Sequence, residues 1–177
     1  MTAAKQAWLD TGLALLEEQG PGGLTIDELT RRLGRTKGSY YHHFKSRDGF
    51  VDALLRHWEE ENTQRIIREA EAAGEAEAKK RLLTQLTQPL HESRIEVHIR
   101  AWALTESRVR AYVARVDEAR MGYVRRIAEV ATGDRDRAQA IARIVYAVFV
   151  GAQQVLPPIK GKELVRLYAD LERLYEL

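Results

Sequence analysis

The chain has 177 residues, of which 45% are hydrophobic and 31% charged, and its formal net charge is only +2. These values are typical of a folded globular protein, and the length allows one domain or two small ones. The absence of cysteine excludes disulfides and thiolate metal sites. No signal peptide is recognisable, and the longest uncharged run, residues 144–159, is too short and too interrupted to span a bilayer, so we expect a cytoplasmic protein.

The first predicted helix covers about residues 2–19. Trp8, Leu9 and Leu16 recur there at helical spacing, and the Gly-Pro-Gly-Gly run at 20–23 ends the helix. The helix contains no chemical motif. We expect it to bury the apolar faces of the next two helices, which are too short to be stable alone.

Residues 24–45 predict two short helices joined by a tight turn. Thr25 followed by Glu28 is a capping-box pattern, so the first of the two helices should begin at Ile26. Gly34 follows that helix, and glycine there supplies the left-handed residue that a sharp turn requires.

Thr36 can cap the second helix of this pair. Tyr40 and Phe44, spaced i and i+4, should then face inward. The side chains left to point outward are Lys37, Ser39, Tyr41 and His42. A helix, a glycine-containing turn and a second helix together predict a helix-turn-helix unit, whose second helix can enter the major groove of DNA.

Positive charge is concentrated in this same segment. Between Arg31 and Arg47 there are six basic residues and no acidic one, whereas from Asp48 onward 21 basic residues balance 21 acidic ones. A local basic patch favours nucleic-acid binding. A solvated basic face on an ordinary helical protein is the alternative explanation of the charge.

The segment TIDELTRRLGRTKGSYYHHFKSRDGFVDALL resembles the N-terminal domain of TetR-family transcriptional regulators. Tyr40 is a mild departure from the family pattern, because Leu, Ile or Phe is commoner there. The residues that match the pattern in register are Thr25, Gly34, Thr36, Lys37, Gly38, Ser39, Tyr41, His43, Phe44 and Lys45. The resemblance covers roughly the first 55 residues and implies a DNA-binding regulator.

The candidate DNA contacts follow from the motif and from the resemblance. Lys37 is the best candidate for a base contact, since lysine can donate to guanine O6 and N7. Further candidates for base or sugar contacts are Thr36, Ser39, Tyr40 and His42. The resemblance implies phosphate contacts for Tyr41, Thr25 and Lys45.

The remainder of the chain is helical in pattern throughout. A long helix should run from about Arg47 to Ala73, and further helices are predicted around residues 82–90, 95–102, 106–131, 134–156 and 162–175. The fold class is therefore all-α with about nine helices. We expect a helix-turn-helix domain at 1–46 and a helical regulatory and dimerisation domain at 47–177.

The predicted helix at 134–156 is apolar on two faces. One stripe contains Ile141, Val145, Val148, Phe149 and Ala152. The second stripe, which we expect to meet a second copy of the chain, contains Ala140, Ile144, Ala147, Gly151 and Val155. TetR-like proteins dimerise through their last two helices, which adds Leu167, Leu171 and Leu174 to the expected interface. A central helix buried within one chain is the alternative.

The resemblance also implies a small-molecule effector that shifts the two recognition helices and releases DNA. Candidate pocket residues are Trp58, Trp102, Tyr112, Met121, Tyr123, Tyr146 and Gln153, which suit a mostly apolar or aromatic ligand. Simple core packing is the alternative explanation for each of them.

No metal, cofactor or enzymatic activity is predicted. His91, Glu92, Glu96 and His98 are too sparse to indicate a metal site rather than surface polar residues. No nucleotide loop, GxSxG elbow or HExxH helix is present. The closest rival function is a ligand-independent helix-turn-helix factor, activating or architectural, with a vestigial pocket. A helical protein–protein adaptor is the third possibility.

Overall fold

The computed structural model describes residues 2–72 and 94–175, and within these ranges the regular structure is entirely helical. The α-helices are α1 (Ala3–Gln19), α2 (Ile26–Leu33), α3 (Lys37–Phe44), α4 (Arg47–Glu59), α5 (Arg65–Ala72), α6 (Ile95–Ala103), α7 (Ser107–Thr132), α8 (Arg135–Gln154) and α9 (Gly161–Tyr175). The predicted all-α fold class is confirmed. The predicted helix at 82–90 lies outside the described residues.

Side-chain caps set the beginnings of α2 and α3, as the sequence predicts. Thr25 Oγ1 accepts a hydrogen bond from the Glu28 backbone N–H (3.2 Å), and Thr36 Oγ1 accepts one from the Ser39 N–H (3.2 Å). Each cap satisfies a backbone donor that has no partner within its helix. Thr2, Ser46 and Asp134 cap α1, α4 and α8 in the same way.

The predicted capping box of α2 is only half formed. The Glu28 carboxylate binds the guanidinium groups of Arg31 and Arg32 instead of reaching back to the Thr25 backbone. The Thr25 N–H donates to the Gly23 carbonyl instead (2.8 Å). The start of α2 is unchanged, because the cap from Thr25 is sufficient.

A first compact unit contains the described residues 2–62 and 94–114. In its core, the Trp8 ring of α1 packs edge-on against the Tyr40 ring, with their centroids 5.6 Å apart. The centroids of the Phe44 and Phe50 rings lie 5.0 Å apart. Such aromatic pairs stabilise a core beyond the area they bury. The predicted role of α1, covering the apolar faces of α2 and α3, is confirmed.

The beginning of α7 is fastened to α4 within the same unit. Arg108 Nη2 lies 2.9 Å from Asp48 Oδ2, and its Nη1 lies 3.5 Å from Asp52 Oδ2. The Tyr112 hydroxyl donates to the Asp52 carbonyl (3.4 Å) and accepts from Arg56 Nε (3.2 Å). These contacts fix the direction in which α4 leaves the helix-turn-helix.

The helix after the motif is less regular than predicted. In place of one uninterrupted helix from Arg47 to Ala73, α4 and α5 are joined by a π-helical segment at Glu60–Gln64. The Asn62 amide donates to the Trp58 carbonyl (3.0 Å), which is the acceptor that the backbone N–H of residue 62 would use in an α-helix. This side-chain competition explains the local change of helix type.

The second compact unit contains the described residues 63–72 and 115–175. Its buried cluster is formed by Ala152 of α8 with Leu164 and Tyr168 of α9, and the Tyr168 hydroxyl donates to the Val145 carbonyl (3.3 Å). The predicted helices of this part appear as α7, α8 and α9. The two compact units are defined by packing, whereas the predicted domains 1–46 and 47–177 are defined by function, and that division stays a prediction.

Candidate nucleic-acid interface

The turn between α2 and α3 is built as the sequence predicts. Gly34 has φ +59° and ψ +36°, the left-handed conformation that costs glycine little. The Arg35 N–H donates to the Thr30 carbonyl (3.1 Å), which closes the end of α2. Thr36 then begins α3 at once, so the two helices are held in a fixed orientation.

The inner face of α3 is anchored in the first unit. Tyr40 and Phe44 are both buried, as predicted, and the Tyr40 ring lies 5.5 Å from the Phe50 ring of α4. Burial raises the pKa of Tyr40 to about 12, so its hydroxyl stays neutral. The prediction of Tyr40 as a DNA contact is wrong, because its ring has no exposed surface.

The outer face of α3 is open to solvent. Thr36, Lys37, Tyr41, His42 and Lys45 are exposed and Ser39 is half-buried. Thr25 is exposed at the beginning of α2. The structure thus gathers the predicted DNA-contact residues, Tyr40 excepted, on the surface of the helix-turn-helix.

Lys45 follows the last residue of α3 in an unusual backbone conformation. Its φ is +65° and its ψ is −37°, and the Ser46 N–H donates across it to the Phe44 carbonyl at 2.7 Å. This is a γ-turn of the rare positive-φ form, which is strained for a residue with a side chain. The sequence gives no signal for it, since glycine or asparagine is the usual residue at positive φ.

Acidic side chains neutralise half of the basic patch. Arg31 Nη2 lies 2.5 Å from Glu28 Oε1, Arg32 Nη2 lies 2.5 Å from Glu18 Oε2, and Lys37 Nζ lies 2.5 Å from Asp27 Oδ1. These acidic partners lie outside residues 31–47, because Asp27 and Glu28 come earlier on α2 and Glu18 is on α1.

The ion pairs also shift the pKa values of the groups involved. Hydrogen bonds from Arg31 and then Arg32 lower the pKa of Glu28 to about 2. The hydrogen bond to Glu28 raises the pKa of Arg31, and the bond to Asp27 raises the pKa of Lys37. All of these groups therefore keep their charges at neutral pH.

Three basic residues of the patch remain available. Arg35, Lys45 and Arg47 are exposed and make no ion pair with any residue that the structure describes. Arg35 lies in the turn before α3, and Arg47 is the first residue of α4. Arg35 and Arg47 are not among the residues predicted to contact DNA, although each adjoins a capping residue, Thr36 or Ser46.

The candidate pocket residues lie in both compact units. Trp58, Trp102 and Tyr112 belong to the first unit and are buried. Trp102 Nε1 donates to Glu106 Oε2 (2.9 Å). These three side chains have packing partners within their own unit.

The other four candidate pocket residues belong to the second unit. Tyr123 and Tyr146 are buried, and Met121 and Gln153 are half-buried. The Tyr146 hydroxyl donates to Asp117 Oδ1 (2.7 Å), and the Tyr146 ring stacks on Phe149 at 5.9 Å. Whether these residues bind a ligand stays a prediction.

The two stripes of α8 have different surroundings. Phe149 and Ala152 of the first stripe are buried. Of the candidate interface residues, Ala140, Ala147, Val155 and Leu174 are exposed and Ile144, Gly151, Leu167 and Leu171 are half-buried. A helix buried on all sides within one chain does not fit these exposures.

The candidate metal ligands are dispersed. Glu96 is buried and binds Arg100 Nη2 at 2.8 Å, and His98 lies against Gly20. His91 and Glu92 lie outside the described residues. Within residues 2–72 and 94–175, no group of three His, Asp or Glu side chains could hold a metal ion, and no helix has the length and apolar character needed to cross a membrane.

Comparison with known proteins identifies relatives of this architecture. Residues 9–54 match the family model described as bacterial regulatory proteins, tetR family. The reduced form of NemR from E. coli is 20% identical, with a TM-score of 0.77 over 97% of each chain. A Saccharomonospora viridis transcriptional regulator in complex with choline is 17% identical, with a TM-score of 0.79 over 99% of this chain and 97% of that chain.

A third solved structure, from Rhodococcus sp., is described as a TetR-family transcriptional regulator. It is 22% identical, with a TM-score of 0.75 over 97% of this chain and 98% of that chain. No curated protein matches the sequence.

An N-terminal helix-turn-helix with a capped second helix that faces outward has the architecture of a helix-turn-helix DNA-binding domain. Residues 9–54 match the TetR-family model, and the chain as a whole has the fold of TetR-family regulators. The resemblance predicted from the sequence is confirmed.

Proposed function

We propose that this protein is a dimeric, non-enzymatic repressor that binds a pseudo-palindromic operator through α3 and is released from it by a small molecule. The observation that supports DNA binding best is the division of α3 into two faces. Tyr40 and Phe44 anchor its inner face, so Lys37, Tyr41 and His42 are presented on a helix of fixed orientation. Such a helix can enter the major groove without reordering.

Each exposed residue of the motif has a proposed role. Lys37 at the first turn of α3 contacts a guanine edge, with Thr36, Ser39 and His42 as further base or sugar contacts. Thr25, Tyr41 and Lys45 bind phosphates. The Thr25 hydroxyl can do so while capping α2, because its oxygen accepts from Glu28 and its hydrogen is still available to donate. Arg35 and Arg47 are additional phosphate contacts.

We propose that the dimer forms through the exposed faces of α8 and α9. Ala140, Ala147 and Gly151 are small enough for close approach of two helices. Leu174 is 78% exposed in the single chain. Such exposure is unfavourable for a large apolar side chain on a surface that carries other apolar side chains. A two-fold dimer presents two copies of α3 and so reads two inverted half-sites.

We propose that the effector is a small, mostly apolar or aromatic molecule. The choline complex of the S. viridis protein indicates that a chain of this fold can hold a small organic molecule. An effector of this kind releases DNA only to the extent that it binds the DNA-incompetent arrangement more tightly than the competent one.

A ligand-independent transcription factor is the second candidate function. The observation that favours it is the packing of the candidate pocket residues. Trp102, Tyr112 and Tyr146 are buried and each donates a hydrogen bond within its own unit, to Glu106, Asp52 and Asp117. Side chains with such partners are expected in a packed core as well as around a ligand.

In vitro transcription from a promoter that overlaps a duplex selected by the protein tests the proposal. We expect added protein to lower the transcript level and a small molecule identified by a thermal-shift screen to restore it. A raised transcript level would identify an activator. Repression that no stabilising small molecule relieves would favour the ligand-independent factor.

A further inference from the structure

The ion pair between Lys37 and Asp27 joins the two helices of the motif across their turn. The Lys37 ammonium lies 2.5 Å from Asp27 Oδ1, and the two side chains are 62% and 78% exposed. Lys37 is the first residue of α3 and Asp27 lies in the first turn of α2. The carboxylate is therefore in contact with the same ammonium that the proposed function assigns to base recognition.

An ammonium has capacity for both partners. It has three N–H donors, of which the contact with one Asp27 oxygen occupies one. The two that remain match the two acceptors of guanine, O6 and N7, in the major groove. Lys37 can thus contact guanine while it stays bound to Asp27.

Without Asp27, the same side chain would have a second use. Lysine is a long, flexible chain with a mobile charge, and a free lysine beside DNA binds phosphates regardless of sequence. Its place at the start of α3 also puts its positive charge at the positive end of the helix dipole, where a nearby carboxylate is favourable.

We propose that Asp27 is a specificity-determining positioning residue, which holds Lys37 toward the bases and keeps it from binding phosphate on unrelated DNA. The inference rests on the proposed function. We expect Lys37 to stay bound to Asp27 both on the operator and on unrelated DNA. Asp27 therefore costs little free energy in operator binding. It removes one sequence-independent contact from every complex with unrelated DNA.

The pair could instead be an ordinary exposed ion pair that affects only the stability of α2. Such pairs contribute little in general. That explanation predicts a change in thermal stability for Asp27→Asn and no change in DNA preference. The two explanations are separated by measuring DNA affinity and unfolding temperature for the same variants.

The experiment uses the full chain and two duplexes. One duplex is recovered by wild-type protein from a random pool, and the other is a scrambled duplex of equal length and composition. Affinities are measured by fluorescence anisotropy over a range of salt concentrations for Asp27→Asn, Lys37→Ala, the double variant and Glu17→Gln. Glu17→Gln is the matched control, because it removes one negative charge from α1 and Glu17 makes no ion pair with any described residue.

We expect Asp27→Asn to bind the scrambled duplex about three- to tenfold more tightly and to steepen its salt dependence by about 0.9 for each α3 engaged. Affinity for the selected duplex should change little, so the ratio of the two affinities falls. Glu17→Gln should leave that ratio unchanged. In the Lys37→Ala background, Asp27→Asn should lose most of its effect.

Three outcomes of the affinity measurements would overturn the inference alone. They are an unchanged affinity ratio for Asp27→Asn, an equal effect of Glu17→Gln, and an undiminished effect of Asp27→Asn in the Lys37→Ala background. Loss of a base preference at a position that Lys37→Ala does not alter, when Asp27→Asn is used to reselect DNA, would also overturn it, because Asp27 would then read a base itself. A wild-type protein that prefers no sequence would overturn the proposed function and the inference together.

Discussion

Lys37 and Lys45 are exposed lysines at the two ends of α3, and their surroundings indicate different uses. Lys37 is bound to Asp27 at the start of the helix. Lys45 lies just beyond the end of the helix in a strained γ-turn and makes no ion pair with a described residue. A free charge on a strained backbone suits a phosphate contact, whereas an oriented ammonium suits a base contact.

Substitution of the two lysines should separate these roles. We expect Lys37→Ala to weaken binding to the selected duplex by about 1–3 kcal/mol, with loss of preference at one base position. Lys45→Ala should lower affinity similarly for all sequences and flatten the salt dependence by about 0.9 for each α3 engaged. Mobility-shift titrations at several salt concentrations make the comparison. An unchanged affinity ratio for Lys37→Ala would reduce Lys37 to a phosphate contact.

Glu28 should make part of the stability of the motif dependent on pH. Its pKa in the folded chain is about 2, below the ordinary value of 4.5, because Arg31 and Arg32 bind its carboxylate. A depressed pKa contributes stability above the unfolded value and loses it as pH falls through the folded value.

The Glu28→Gln variant measures this contribution. The difference in unfolding temperature between wild type and Glu28→Gln should be greatest above about pH 4.5 and should shrink as the pH falls toward 2. Thermal unfolding followed by circular dichroism over that range tests the prediction. A difference that does not vary with pH would contradict it.

At the residue scale, the caps were predictable and the tertiary ion pairs were not. Thr25, Thr36 and Gly34 act on backbone groups a few residues away, so the sequence reveals their function. The pair of Arg32 with Glu18 joins residues of different helices, and no local pattern indicates it. The i, i+4 spacing of Tyr40 and Phe44 places Tyr40 on the inner face of α3. That position is inconsistent with a DNA contact.

At the scale of elements, the junction between α3 and α4 depends on glycine at one position. A Cβ added to Gly49 would lie 2.1 Å from the Phe44 carbonyl oxygen, the same oxygen that accepts the Ser46 N–H in the γ-turn. A backbone atom cannot move aside as a side chain can. By contrast, a Cβ added to Gly38 would meet its nearest neighbour, Thr36 Oγ1, at 3.6 Å.

Replacement of Gly49 and of Gly38 by alanine should therefore have opposite effects on the stability of the fold. Gly49→Ala should destabilise the fold by at least about 1–3 kcal/mol through steric overlap. Gly38→Ala should stabilise it by about 0.5–1 kcal/mol, because glycine is unfavourable within a helix, yet weaken DNA binding if the backbone there approaches the groove wall. Urea unfolding and DNA titration of both variants test this. Equal stabilities would contradict the account of the junction.

The positions of most helices could be predicted, but the interruption of the helix after the motif could not. Helices α2, α3 and α8 begin within a residue or so of their predicted starts, because apolar periodicity and side-chain caps coincide there. The π-helical segment at 60–64 depends on which acceptor the Asn62 amide finds. That choice depends on the surrounding fold, and propensity does not predict it.

At the scale of the whole molecule, the sequence could not separate ligand-binding aromatic residues from core aromatic residues. Residue type alone indicates Trp58 and Tyr146 as pocket residues, and the same residue types pack any helical core. The exposed face of α8 was more predictable, because a second apolar stripe on one helix requires a second partner. That partner is proposed to be another copy of the chain.

A negative charge on the exposed face of α8 should prevent dimerisation. We expect Ala147→Glu to give monomers in sedimentation velocity and to lose most affinity for a two-half-site duplex, because an unpaired carboxylate would be buried between the two copies. Ala111→Glu is the control, since Ala111 is also exposed on a helix but outside the proposed interface. A dimeric Ala147→Glu would place the interface elsewhere.

The central claim is that two copies of α3 read a two-fold symmetric DNA sequence. Selection of duplexes from a random pool by the wild-type protein tests it most directly, since no operator need be known beforehand. We predict enrichment of two inverted half-sites that Lys37→Ala alters at the same base position in each half. Enrichment of a single asymmetric site, or of no sequence at all, would contradict the account.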